Sequence, residues 1–587
     1  MLLLEGVNIK KFYGDRQILG FDELRIYSGD RIGVTGLNGA GKTTLLDILS
    51  GELEPDEGCV KAYCPVGYIR QFDQSGTDEM DPARQEISGT EIRLLKEFDI
   101  DSKLGRAALS GGERTRLKIA GAFGSGSVLL FADEPTSNLD YKGIELLRQK
   151  LQAVESFVMI SHDRSLLDDL CNKIIEVKDG GIRIFNGNFS FYRQRCEMER
   201  ERTALEYDKY IEEKTALEDA ISNRKRRAGK VRRAPRRMGN SEARLHKRQA
   251  GESQEKLHNA AKSLVTRLEK LEVKEKPREQ PGIRLDFSLT EPPGNKIVIS
   301  AERLSFSYGS VPVFKDARLS VPNGMKTALW GENGTGKTTL LNLVYAAYLR
   351  DHYGTDVGMD NDGGSDIDSD IRQFCNMAGA SVRSISIVPK ARLAYFRQTF
   401  ENLDPEETVL KNVMRGSVQN ETAARTILAR LLLQGDAVFK RVGVLSGGER
   451  IKTAFAKLFV SKANVLLLDE PTNYLDMQSI EALGSVLKDY EGTVLFVSHD
   501  RAFVSSVADR LLLPGDLTIR SFEGGLEEFK EFEENSKKEG AKKSDELEQT
   551  ILRMRMTEII SRLSAPNCDK EALEEEYRQL ATLLKGK

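Results

Sequence analysis

One series of four short motifs runs through this chain twice, in the same order. GLNGAGKTT at 36–44 returns as GENGTGKTT at 331–339, and LSGGER at 109–114 returns unchanged at 445–450. VLLFADEPTSNLD at 128–140 returns as VLLLDEPTNYLD at 465–476, and FVMISHDRS at 157–165 as VLFVSHDRA at 494–502. Four motifs in one register do not recur by chance. A period of roughly 300 residues marks a duplicated domain rather than a solenoid. The length, 587 residues, agrees, because one hydrophobic core cannot serve a chain of that size.

The motifs fall on predictable elements. RIGVTG (31–36) is an apolar strand running into a glycine loop, and KTTLLDILS then has helical spacing up to Gly51. VLLFAD, VLLLD, FVMIS and VLFVS are short apolar runs of the kind a buried parallel sheet requires. Strands alternating with helices predict an α/β fold in each half.

Composition excludes several classes. The net charge of −3 gives no global attraction to nucleic acid, so any such attraction is local. Cys59, Cys64, Cys171, Cys196, Cys375 and Cys568 are scattered without a CxxC pair, which argues against zinc and disulfide frameworks and suits a reduced compartment. The N-terminus, MLLLEGVNIKKFYG, reads as a strand rather than a signal peptide. No run of about 18 apolar residues is present, so no membrane span is expected and a transporter would need its membrane part on another chain.

GxxxxGK[ST] is a phosphate loop: its glycines turn backbone N–H groups inward around phosphates, and the following helix N-terminus favours the negative charge. The candidate nucleotide-binding residues are Gly36, Asn38, Gly39, Gly41, Lys42, Thr43 and Thr44, with Gly331, Asn333, Gly334, Gly336, Lys337, Thr338 and Thr339 as their counterparts. Lys42 and Lys337 would reach the β- and γ-phosphates, and Thr43 and Thr338 would bind Mg²⁺. Asp133 and Asp469 end apolar strands, where a carboxylate can hold the same ion. Glu134 and Glu470 follow directly, placed to polarise the water that attacks the γ-phosphate. The chain has five histidines, and two of them, His162 and His499, occupy equivalent places in the repeat, which points to a γ-phosphate contact.

Taken together, phosphate loop, LSGGE, DE strand end, SNLD or NYLD turn and SHD resemble the ATP-binding cassette (ABC) proteins across both halves, about 500 residues. The resemblance implies further roles. Tyr13 and Tyr308, each before a glycine, match the aromatic that stacks on adenine. Gln71 in YIRQ and Gln398 in YFRQ match the glutamines that sense Mg²⁺ and water. ABC cassettes pack head to tail, so Ser110, Gly111 and Gly112 would contact the ATP on Lys337, and Ser446, Gly447 and Gly448 the ATP on Lys42. ATP would close the two halves of one monomer and hydrolysis release them. Neither half lacks a catalytic residue, so two hydrolytic sites are expected.

Two departures stand out. From Lys42 to Gln71 is 29 residues, but from Lys337 to Gln398 is 61. The extra length includes 351–370, with seven aspartates and no lysine or arginine, which reads as a solvated loop; its DxDxD lacks the glycine and distal glutamate of a calcium loop. The segment from Gln71 to Leu109 is shorter than the helical subdomain with which a transporter ATPase grips its membrane partner.

The expected domains are a first cassette over 1–190, a linker over 191–281, a second cassette over 282–535 and a C-terminal extension over 536–587. In the linker, Tyr207, Tyr210, Leu217 and Ile221, then Leu257, Ala261, Leu264, Leu268 and Leu271, keep roughly heptad seams, and Pro277 and Pro281 end the second run. Two such helices joined by a turn make an antiparallel hairpin. Its tip, 224–248, holds twelve Lys or Arg and one acid, Glu242. Charge this dense expects a polyanion, and arginine suits bidentate phosphate contacts. Arg226, Arg227, Lys230, Arg232, Arg233, Arg236, Arg237 and Arg244 are the candidate RNA-binding residues. The C-terminal extension carries two more seams, Leu552 to Leu563 and Leu573 to Leu584, separated by SAPN (564–567), and predicts a second helical hairpin.

Two cassettes, no membrane part and a basic-tipped linker resemble the ABC-F family of ribosome-associated ATPases. RRAPRRMGNSEARLHKR in the linker and LLFADEPTSNLD in the first cassette resemble its antibiotic-resistance members. The resemblance implies a cytoplasmic protein with ATP and Mg²⁺ as cofactors and the ribosome, its rRNA and P-site tRNA, as partner. It also implies protection against lincosamides, pleuromutilins and streptogramin A. A housekeeping ABC-F translation factor is the alternative. A transporter ATPase is disfavoured by the short subdomain and the basic hairpin, and a DNA-handling ABC ATPase by the absence of zinc motifs or very long coiled coils.

Overall fold

A computed structural model describes residues 1–70, 111–124, 126–137, 139–230, 240–274, 286–353, 374–375, 377–379, 381–397, 403–533 and 535. Gln71, Gln398, Ser110, Arg232, Arg233, Arg236, Arg237, most of the acid-rich insertion and the extension from 536 lie outside the described residues, and of Lys230 and Arg244 only the helical backbone is described. The chain divides into two compact units. One comprises Met1–Leu94, Lys118–Pro135 and Arg148–Gly282, and the other Leu95–Leu117, Thr136–Leu147 and Ile283–Lys587.

The first half begins with β1 (Leu2–Tyr13), β2 (Arg16–Tyr27), β3 (Arg31–Thr35), α1 (Lys42–Ser50), β4 (Glu57–Ala62) and β5 (Val66–Ile69). It continues through α2 (Gly111–Gly124), β6 (Leu129–Asp133), α3 (Tyr141–Gln152), β7 (Ser156–Ile160), α4 (Arg164–Leu170), β8 (Lys173–Lys178) and β9 (Gly181–Asn186). Its strands form two sheets. One has the order β2-β1-β4 and is antiparallel; the other has the order β5-β6-β7-β3-β8-β9 and is parallel except at the β8–β9 edge. Every residue of β6 and β7 is buried, which is why these strands read as unbroken apolar runs. The antiparallel sheet is an addition to the simple strand–helix alternation expected from the motifs. Leu45, Leu46 and Leu49 of α1 are clamped between the two sheets, against Leu4, Ile9 and Ile26 on one side and Phe131, Val158 and Ile160 on the other. Each such leucine contributes about 2 kcal/mol of burial, so the helix behind the first phosphate loop is fixed from both faces.

The linker follows as α5 (Phe189–Lys230) and α6 (Asn240–Glu269), paired as a hairpin. Leu217, Ile221 and Ala228 of α5 and Ala261 of α6 are buried, and the remaining described seam residues are half-buried. Arg224 Nη1 donates to the Ala260 carbonyl at 3.2 Å, and Arg267 pairs with Glu213 at 3.0 Å. The first arm starts before the linker boundary expected at 191 and runs through Arg226 and Arg227 as continuous helix, 42 residues in all. Asn188 starts it, its side chain accepting from the Phe191 N–H at 3.1 Å, and no proline or glycine interrupts until Gly229.

The second half repeats the first with β10 (Ile297–Tyr308), β11 (Val311–Pro322), β12 (Lys326–Leu329), α7 (Lys337–Tyr353), β13 (Ile385–Ile387) and β14 (Leu393–Phe396). Then come α8 (Val409–Met414), α9 (Glu421–Arg430), α10 (Gly447–Val460), β15 (Val465–Asp469), α11 (Met477–Asp489), β16 (Thr493–Val497), α12 (Arg501–Val507), β17 (Arg510–Gly515) and β18 (Thr518–Glu523). The sheet orders, β11-β10-β13 and β14-β15-β16-β12-β17-β18, match those of the first half strand for strand. Leu340, Leu341 and Val344 of α7 sit between Leu304 and Phe314 of one sheet and Leu467 and Leu495 of the other. A second core on the far face joins Ile427, Phe455, Leu483 and Phe503 of the helices to Leu466 and Phe496. Among the described residues no helix is long and apolar enough to cross a membrane.

Candidate functional site

Each phosphate loop leaves the end of a parallel strand, β3 or β12, and enters a helix through a glycine that only glycine can replace. Gly41 has φ 98° and Gly336 has φ 90°, and a Cβ on Gly336 would lie 2.5 Å from Val313 Cγ1. Lys42 and Lys337, both buried, point back into their loops. Lys42 Nζ donates to the Gly36 carbonyl at 2.9 Å and the Leu37 carbonyl at 3.2 Å; Lys337 Nζ donates to Gly331 at 2.9 Å and Glu332 at 2.7 Å. Burial lowers the Lys337 pKa against the pull of Glu470, Asp140 and Asp469. An ammonium seated this way is centred where a phosphate chain would be wrapped.

Asp133 and Asp469 close β6 and β15 and face the first helical threonines. Thr338 Oγ1 donates to Asp469 Oδ1 at 3.2 Å, and Thr43 hydrogen-bonds Asp133. Burial lifts Asp133 to about 6, with the Thr43 bond opposing; burial likewise raises Asp469. Asp133 Oδ2 is buried without a hydrogen-bond partner. Mg²⁺ takes one or two protein oxygens and completes its shell with phosphate and water. Thr43 with Asp133, and Thr338 with Asp469, fit that requirement, and a cation would satisfy the orphaned oxygen.

The next residues are strained in the same way twice. Glu134 has φ 46° and Glu470 has φ 47°, a region non-glycine residues rarely occupy. Their N–H groups stay tied to the neighbouring strand, Glu134 to the Ile160 carbonyl and Glu470 to that of Val497, both at 3.0 Å. The turn aims each carboxylate at a histidine: Glu134 Oε1 lies 3.1 Å from His162 Nε2, and Glu470 Oε1 lies 3.4 Å from His499 Nε2. The His499 N–H also donates to Glu470 Oε2 at 3.3 Å. Burial, with Asp469 beside it, pushes Glu470 up to about 8, against Lys337 and the His499 N–H. Burial and Lys337 push His499 down to about 4. Burial thus shifts both partners toward their neutral forms.

Tyr308 lies beside its loop, its hydroxyl 3.3 Å from Thr339 Oγ1, and is 41% exposed; Tyr13 is 56% exposed. Ser446 caps α10 through a capping box. It accepts from the Glu449 N–H, and its own N–H and hydroxyl donate to Glu449 Oε2. Gly447 and Gly448 form the first turn of that helix, as Gly111 and Gly112 do in α2.

Sequence reasoning quoted the SNLD turn but assigned Asp140 no role. Its Oδ1 accepts from the Gly143 N–H at 2.9 Å and its Oδ2 from the Asn333 N–H, in the second phosphate loop, at 3.2 Å. Burial would raise this carboxyl, but those two N–H groups, Arg116 and His499 outweigh it and hold it below the usual carboxylate range. Lys142 pairs with Glu332 at 2.6 Å, and the Arg501 guanidinium lies 4.0 Å over the Tyr141 ring. The available signal was repetition itself, since the same aspartate ends NYLD and caps α11 as Asp476.

A family model described as ABC transporter matches residues 22–137 and 314–473. The erythromycin resistance ATP-binding protein MsrA of Staphylococcus epidermidis is 31% identical over 84% of this chain and 94% of its own length. ABC transporter F family member 5 of Arabidopsis thaliana is 28% identical over 92% of this chain and 79% of its length. The ribosome protection protein VmlR of Bacillus subtilis is 27% identical over 86% and 85%. Among solved structures, that of the RNase-L inhibitor shares the fold with a TM-score of 0.52 at 19% identity, covering 89% of this chain and 91% of the other. A chain that carries the whole cassette twice, and matches such relatives along nearly all of that length, belongs to the ABC-F family of tandem ATP-binding cassette ATPases.

Proposed function

We propose that this protein binds the ribosome in its ATP-bound state, directs the α5–α6 hairpin toward the P-site tRNA and peptidyl-transferase centre, and protects the ribosome against antibiotics that act there. Lincosamides, pleuromutilins and streptogramin A are the drugs in view. The observation that carries this reading is the hairpin, whose helices have mixed charge while 224–248 holds twelve cations and one acid. Arg226, Arg227, Lys230, Arg232, Arg233, Arg236, Arg237 and Arg244 would bind RNA phosphates there. Relatives named for erythromycin resistance and ribosome protection support it. The protein would work in the cytoplasm.

In this reading ATP is the timer. Lys42 and Lys337 would hold its phosphates, Tyr13 and Tyr308 its base, and Thr43 with Asp133, Thr338 with Asp469, and the glutamines Gln71 and Gln398 would hold its Mg²⁺. When bound, the ion would supply charge neutralisation at the phosphates. Ser110, Gly111 and Gly112 would reach the nucleotide on Lys337, and Ser446, Gly447 and Gly448 that on Lys42. Glu134 and Glu470 accept the proton of the attacking water, and His162 and His499 contact the γ-phosphate.

The double variant Glu134→Gln, Glu470→Gln tests the reading. With ATP it should pellet with ribosomes through a sucrose cushion; a protein left in the supernatant ends the ribosome assignment. Wild-type chain expressed in a susceptible host should raise tolerance to at least one drug in a panel that also includes erythromycin. Ribosome binding without any gain in tolerance would instead establish the housekeeping alternative.

A further inference from the structure

The two nucleotide sites differ where the base would stack. Tyr13 and Tyr308 hold the same place in the repeat, but their surroundings diverge. Two residues before Tyr308 stands Phe306; two residues before Tyr13 stands Lys11, whose Nζ is committed to Asp56 at 3.1 Å and the Glu54 carbonyl at 2.8 Å. A third ring, Phe374, joins the second site. The Phe306–Tyr308 centroids lie 4.9 Å apart at 85°, Phe306–Phe374 5.6 Å at 42°, and Phe374–Tyr308 6.4 Å at 58°. Phe306 and Phe374 are both buried. The Tyr308 hydroxyl, at Thr339, anchors the far end of the ring. Tyr308 is thus held by two neighbouring rings and at its tip while two-fifths of it stays exposed. Tyr13 makes no ring contact among the described residues.

We infer that Phe374 is a positioning residue for the nucleotide base at the second site: with Phe306 it fixes the Tyr308 ring in the orientation on which the base stacks, so this site grips its nucleotide through the base more firmly than the first. The inference rests on the reading of Tyr308 as the base-stacking residue. A ring already fixed loses little rotational freedom on binding, whereas a free one must be ordered at that moment. Offset and edge-to-face geometry at these separations is favourable beyond the area buried. The inserted length explains the asymmetry. Phe374 stands four residues after the end of the acid-rich stretch 351–370, for which the shorter Lys42–Gln71 interval leaves no counterpart.

The test uses the full chain, with Lys42→Ala to isolate the second site and Lys337→Ala to isolate the first. Two probes are titrated: ATP labelled on its ribose, and inorganic tripolyphosphate as a competitor that carries no base. At the second site Phe374→Ala should weaken the labelled ATP about tenfold, leave tripolyphosphate unchanged, and be rescued by Phe374→Tyr. Phe374→Leu, which keeps most of the buried volume, carries the test where the alanine variant does not fold. An ATP affinity within twofold of the parent, or an equal loss for both probes, overturns the inference. Tyr308→Ala separates the two levels: if it too leaves ATP binding unchanged, the base-stacking reading fails along with the inference, and if it alone weakens ATP, only the role of Phe374 fails.

Discussion

Glu134 and Glu470 sit in a backbone conformation that costs of order 1–3 kcal/mol, and they do so at the same step of two separate folds. The strain persists because strand pairing on one side and a half-buried histidine on the other hold each turn in place. That an acidic pair ends each apolar strand was legible in the residues; that the second acid turns left-handed to meet a histidine was not, since His499 is 29 residues away in sequence. The same burial makes the pair pH-sensitive. Glu470 binds its proton more tightly in the folded protein, so the stability this gives is complete below its ordinary 4.5 and is lost as pH climbs through about 8. His499 has the opposite sign: its stability is complete above 6.5 and is lost as pH falls through about 4. Between 4.5 and 6.5 the two oppose each other, and above 6.5 only Glu470 acts. In the Lys42→Ala background kcat/KM should therefore rise with pH through about 8, as the glutamate becomes a base, while Tm declines over the same interval. Glu470→Gln should flatten the Tm decline between pH 7 and 9 and slow single-turnover phosphate release by about 100-fold. A Tm profile unchanged by the substitution would show that another group titrates.

At the scale of elements, the helices that carry the phosphate loops were the most legible. Their apolar spacing announces burial, and the structure clamps α1 and α7 between two sheets each. The antiparallel sheets were less legible. β1 and β2 each alternate only in part, and their pairing is set by a two-residue turn at Gly14–Asp15 and by β4, which lies more than 40 residues on. For the linker, heptad spacing revealed both helices, but α5 extends farther because nothing between Asn188 and Gly229 stops it. This hairpin has its own seam and should open as its own unit. Leu217→Ala removes the middle of that seam, and hydrogen exchange should show amides of α5 and α6 losing about 2 kcal/mol of protection. Amides of β6 and β7 should be unaffected; a loss there would tie the hairpin's stability to the cassette.

For the whole molecule, a net charge of −3 conceals a sharp separation, with seven aspartates and no cation in 351–370 and twelve cations in 224–248. If the basic tip meets RNA, replacing Arg232, Arg233, Arg236 and Arg237 by alanine should reduce the slope of log affinity for ribosomes against log salt by about three. ATP affinity should be unchanged, and an unaltered slope would remove the tip from the interface. The sequence by itself determined the duplication, the α/β class of each half, the chemistry of each phosphate loop and the existence of a hairpin. These rest on local patterns: glycine spacing, apolar periodicity and charge density act within a few residues of one another. The tertiary structure decided which groups meet across distance. It set Glu470 against His499, Asp140 against the loop of Lys337, and Phe374 against Tyr308. Such contacts depend on strand order and on where an insertion returns to the core, and no local pattern encodes either.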